Sequence, residues 1–141
     1  VVLRLFAATG YQGFYELHLV TGCRALRKIS KSLDDPALRR PMVLYFWRAV
    51  MYTYAAIGNP AFPSTMPTVD NRDTLPDWEE LLREGMPVTD THFHKLLWLC
   101  KDEALLLDQE RDTKSDQLSL LYHITGVRIV ANFTAGNDWV H

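Results

Sequence analysis

Residues 34–47 read Asp34-Asp35-Pro36-Ala37-Leu38-Arg39-Arg40-Pro41-Met42-Val43-Leu44-Tyr45-Phe46-Trp47. The acidic pair before a proline is a helix start. A carboxylate there can accept from the orphan amides of the first turn, and proline at the first helical position gives up an amide that has no intrahelical partner. The run from Met42 to Trp47 is apolar on every side, the pattern of a buried central helix. Gly58-Asn59-Pro60 supplies the stop. The stretch therefore predicts a helix from Pro36 to about Ile57.

Toward the N-terminus, Leu19, Val20, Cys23, Leu26 and Ile29 recur at threes and fours after Gly10 and Gly13, which predicts a helix over 14–31. Toward the C-terminus the signals predict three more. A short amphipathic helix over 76–84 is closed by Gly85 and Pro87, Thr89-Asp90 starts one that runs to about Arg111, and Ser115-Asp116 starts a last one to about Phe133. Between Gly58 and Leu75, Pro60, Pro63 and Pro67 replace any periodicity. A loop of that length is either a lid or binding segment or a plain surface connector. Strand-like alternation is scarce, so the expected fold is all-α: four to five long helices and one long Pro-rich loop, in a single domain over 1–141.

The chain has 141 residues, 48% apolar and 23% charged, the profile of one soluble globular domain. A net charge of -2 is too near neutral for the wide basic surface that nucleic acid requires. No apolar run approaches the roughly 20 residues of a membrane span, so neither a nucleic acid nor a membrane is an expected partner. Cys23 and Cys100 match neither a disulfide framework nor a zinc ribbon, which suits a reducing compartment and predicts a cytoplasmic protein. Val1-Val2 opens the chain without a methionine and Trp139 stands almost at its end. The expected reading is a C-terminal fragment whose N-terminal portion, or a partner chain, packs on it.

Chemistry concentrates in Asp90-Thr91-His92-Phe93-His94-Lys95. At about 100° per residue, Leu96, Leu99, Cys100, Leu106 and Leu107 fall within about 80° of His92. That places His92 and Glu103 inside the predicted buried face, Lys95 at its edge and His94 outside it. Buried His, Lys and Glu need partners; the cluster reads either as a metal or acid/base site, or as structural ion pairs of Lys95 or Lys101 with nearby acids. His18 lies mid-helix one turn before Gly22, a residue that lets a helix or ligand approach closely. His123 and His141 have no adjacent ligand-type residue. The aromatics Phe14, Tyr15, Tyr45, Phe46, Trp47, Tyr52 and Trp98 are expected in the core, with a flat stacking pocket as the alternative.

The run Tyr11-Gln12-Gly13-Phe14-Tyr15-Glu16-Leu17-His18-Leu19-Val20-Thr21-Gly22-Cys23-Arg24-Ala25-Leu26-Arg27 resembles a segment of the questin oxidase-like family, helical oxidases of aromatic polyketides. Tyr45-Phe46-Trp47-Arg48-Ala49, Tyr54-Ala55-Ala56-Ile57-Gly58 and Asp90-Thr91-His92-Phe93-His94-Lys95-Leu96 resemble its later helices. The resemblance spans most of the chain and corresponds to the C-terminal part of the longer family members. It implies an oxygenase acting on an aromatic substrate such as an anthraquinone with O2, by ring cleavage at a non-haem iron. It also implies His18 and His92 as imidazole ligands, with Lys95 as its carbamate supplying a hard oxygen donor beside them; His94 is the alternative to His92. An NADPH-dependent Baeyer–Villiger oxygen insertion is the variant within the family. The rival class is a non-catalytic helical interaction domain in which these residues merely pack.

Overall fold

The computed structural model describes residues 1–63, 72–110 and 112–141. Among them lie six α-helices and no strand: α1 (Val2–Ala8), α2 (Phe14–Ser32), α3 (Pro36–Ala56), α4 (Trp78–Gly85), α5 (Thr91–Asp108) and α6 (Thr113–Thr134). Residues 64–71, the middle of the predicted loop, lie outside the described residues, and Arg72–Thr74 at its far end form a 3-10 turn.

Four of the helices start as their carboxylates dictate. Asp35 accepts from the Ala37 amide, Asp77 from Glu80, Asp90 from Phe93, and Asp112 from Lys114 and Ser115. The last helix is therefore capped by Asp112, and Ser115 sits inside it with its hydroxyl on Glu110 and Asp112. Helix α1 has no side-chain cap and no start signal in the sequence; burial of Leu3, Leu5 and Phe6 holds it.

The chain gathers into two compact units, Val1–Phe62 with His141, and Pro63–Val140. In the first, Leu5, Leu19 and Val50 form a small core flanked by Val2, Phe46, Tyr54 and Ile57. Gly22 does what its missing side chain allows: a ring carbon of Phe46 lies 3.3 Å from where its Cβ would stand. Helix α3 is not the buried central helix expected. Val50 is its one buried residue, because only the stripe Phe46, Val50, Tyr54, Ile57 faces the core. The rest of the apolar run, including Leu38, Val43, Leu44, Tyr45, Trp47, Met51 and Tyr52, is exposed.

The second unit is built on the α5·α6 pair with α4 packed across it. Phe93, Leu96, Leu97, Cys100, Glu103, Ala104 and Ile129 are fully or almost fully buried. Burial, and then the nearby Glu103 carboxylate, push the Cys100 thiol up, so it is an inert core residue. Trp78 stacks on His123 with ring centroids 4.7 Å apart, and its far edge fills the place a side chain at Gly126 would take.

Arg72 clasps this unit. It donates to both oxygens of Asp108 at 2.9 Å and to Ser119 Oγ at 2.8 Å, while Ser119 Oγ donates to Asp108 Oδ1 at 2.6 Å. Partial burial alone would raise the Asp108 carboxyl, but the hydrogen bonds from Arg72 and Ser119 outweigh it and hold the group below its ordinary value of 3.8. A carboxyl lowered on folding contributes stability that is fully present above pH 3.8 and lost as pH falls through the lower folded value. Arg72→Met is expected to shrink that acid-dependent loss, measured as the change in unfolding midpoint between pH 6 and about pH 3.

Candidate functional site

The structure shifts the expected phase of α5. Its buried face is centred on Leu96, Cys100, Glu103 and Leu107, with Phe93, Leu97 and Ala104 on one flank. Leu106, counted on the face, is exposed. The face lies roughly 60° from the position predicted, which is less than one residue step of a helix. His92 lies at an angle within that face but in the first turn of the helix and is half-buried, Lys95 lies beyond the edge that Leu99 marks and is exposed, and Glu103 is fully buried as its position predicts.

His92 and Lys95, three residues apart, share one flank of the first turns of α5. His92 Nδ1 stands 3.9 Å from Asp90 Oδ1, the same oxygen that accepts the Phe93 amide and, at 3.0 Å, the Trp139 indole N–H. Burial would raise the Asp90 carboxyl, but these bonds and the neighbouring His92 keep it below its ordinary value. His94 points away from the buried face and its Nε2 donates to the Val88 carbonyl, which can only accept. His18 belongs to the other unit, exposed on α2. Its Nδ1 lies 2.7 Å from the Phe14 carbonyl, which can only accept, so Nδ1 carries a proton. The Phe14 ring stands between His18 and His141, 4.7 Å from each.

Iron, implied by the resemblance, meets a divided donor set. His18 donates through one ring nitrogen to a carbonyl, the kind of bond that orients a metal-ligating imidazole, whereas His92 has the Asp90 carboxylate 3.9 Å from its Nδ1. Lys95, whose carbamate the resemblance implies, is exposed on α5. Among the described residues no group of three or more His, Cys, Asp or Glu side chains is placed to hold an ion. His123, set aside in the sequence, is an internal fixture: Nε2 donates to the Pro76 carbonyl at 2.8 Å beneath the Trp78 ring.

The second unit also carries an open cleft of about 650 Å³ lined by Glu84, Pro87, Val88, Thr89, Phe133 and Thr134. Of the seven aromatics expected in the core, Phe46 is half-buried against it and Phe14 is half-buried, while Tyr15, Tyr45, Trp47, Tyr52 and Trp98 are exposed. Tyr45 and Tyr52, two turns apart, stand on one side of α3 at 66% and 76% exposure, and Trp47, at 44%, stands on another side. With aromatic side chains presenting about 150–250 Å² each, these three leave on the order of 400 Å² of ring in water, spread around the helix rather than gathered in one patch.

No helix among the described residues is long and apolar enough to cross a membrane. Comparisons with protein-family models, with curated proteins and with solved structures found no match to this chain.

Proposed function

We propose that this chain is a helical docking module that binds a protein partner through the outer face of α3. One observation carries the reading: a 21-residue helix with a single buried residue and seven large apolar side chains exposed. Such a helix leaves most of its apolar surface in water, and a partner covering that surface would remove the cost. The test is photo-crosslinking from single positions in the full chain. Probes replacing Tyr45 or Tyr52 should give discrete protein adducts, and a probe replacing Glu79, exposed on α4, should give none. Equal, diffuse adducts from all three positions would end the reading.

A second reading, an oxygenase of aromatic polyketides, is favoured by the family-like segments around His18 and His92 and by the Nδ1 bond that orients the His18 ring. In it these imidazoles hold iron, whose chemistry would activate O2, while exposed aromatics orient a flat substrate by stacking. Iron content of the purified full chain separates the two. Stoichiometric iron that falls in His18→Ala and His92→Ala but not in His94→Ala supports the oxygenase, and an iron-free protein with intact α3 adducts supports the docking module.

A further inference from the structure

The cleft of the second unit lies where two helices end. Glu84 is the last residue but one of α4, and Phe133 and Thr134 are the last two of α6. A helix C-terminus carries the negative end of the aligned peptide dipoles. Two such ends and the Glu84 carboxylate therefore act on one space with one sign, and among the described residues that line it there is no Lys, Arg or His. The wider field agrees: residues 63–140 hold 14 Asp and Glu against seven Lys and Arg, an acidity that the near-neutral whole chain conceals. Helix α5 opposes, since it begins just after Thr89 with its positive end. Asp90 caps that end with a carboxylate held below its ordinary value, which returns a negative charge there.

The hydrogen-bonding groups have the same bias. Pro87 has no amide hydrogen. The Val88 amide is spent on the Gly85 carbonyl at 3.0 Å, and His94 Nε2 engages the Val88 carbonyl. The Thr134 hydroxyl donates to the Val130 carbonyl at 2.8 Å, so toward the cleft its oxygen can only accept. The amides of Glu84, Phe133 and Thr134 belong to their helices, which leaves Thr89 as the lining residue with a donor to offer.

From this combination we infer that the cleft binds a primary ammonium carried on an apolar stem. The ammonium brings three donors and a positive charge to a carboxylate and a hydroxyl oxygen that accept. The stem lies on the apolar part of the lining, Pro87, Val88 and the Phe133 ring. An anion would meet the Glu84 carboxylate and two negative helix ends, and a neutral alcohol would bring one donor and no charge. The volume of about 650 Å³ falls within the range of small-molecule sites, about 300–1,000 Å³. The cleft lies wholly in the second unit, so the inference is independent of the docking reading of α3. A free amine and the lysine side chain of a protein share this chemistry.

The test is NMR titration of the full chain at pH 7, following the amides of Val88, Thr89 and Thr134, with 2-phenylethylamine as the free amine and Nα-acetyl-lysine N-methylamide as the lysine stem. At least one should give saturable shifts at these amides with a dissociation constant of about 1 mM or below, and the tighter of the two names the source. The uncharged 2-phenylethanol and the anionic 3-phenylpropionate should give none. Glu84→Gln, at an exposed position that leaves helical circular dichroism unchanged, should weaken the amine about fivefold, the upper end of what one exposed charge pair contributes. Glu79→Gln removes the same charge about 140° around α4 from Glu84 and should leave binding as it is. No saturable shift with either amine up to about 20 mM would overturn the inference. So would equal binding of the alcohol or the carboxylate, or an equal loss in Glu84→Gln and Glu79→Gln, which would trace the effect to the general acidity of the unit.

Discussion

Replacing Phe93 with alanine is expected to destabilise the second unit by about 3–5 kcal/mol, the cost of emptying a fully packed aromatic site. Phe93 is fully buried in the first turn of α5, 5.3 Å between ring centroids from Phe133. It also fills the space over Gly85, where a Cβ would stand 2.9 Å from its ring. Neither the glycine nor the rigid neighbouring ring can move in to close the hole. Domain stabilities are about 5–15 kcal/mol, so this one change removes a large share. Urea unfolding followed by helical circular dichroism measures it, with Met86→Ala, at an exposed site, expected within about 0.5 kcal/mol of wild type. A loss below about 1 kcal/mol at Phe93 would mean the ring is not packed as described.

Gly126→Val is expected to cost about 2–3 kcal/mol by overpacking. A Cβ at 126 would come 2.8 Å from the Trp78 ring and 3.6 Å from a Leu97 methyl. Trp78 cannot retreat, because His123 is stacked on it. Valine would have to expel the indole, so tryptophan emission should shift to the red along with the lost stability. Gly126→Ala is the sharper comparison: alanine regains about 1 kcal/mol of helix propensity against a smaller clash, and should lie between glycine and valine.

Much of the fold could be read directly from local chemistry. Asp35 with Pro36, and Asp90 before an apolar run, are cap signals whose energetics lie within a few residues, and the helices begin where they stand. Helix α1 was not legible because nothing local starts it; it exists through the burial of Leu5 and Phe6 against the chain around it. The burial of α3 was misread because an all-round apolar helix has the same pattern whether its own chain or another molecule covers it. At the candidate site, the phase of α5 turned on two residues. Counting Leu106 as buried and passing over Phe93 rotated the face by roughly 60°, enough to carry Lys95 from the edge of the core into water. The tautomer of His18 was beyond reach, since it depends on which ring nitrogen meets the Phe14 carbonyl.

The order of packing has a consequence for how the protein is made. In the first unit α1 packs on α2 and α2 on α3, and in the second α4, α5 and α6 pack among themselves. Contacts between sequence neighbours close small loops and so form early and fast. Translation adds about 5–20 residues per second, so synthesis of residues 63–141 alone takes roughly 4–16 s, during which the first unit can already have folded. Throughout that interval the exposed apolar side chains of α3 are open to whatever stands near the ribosome.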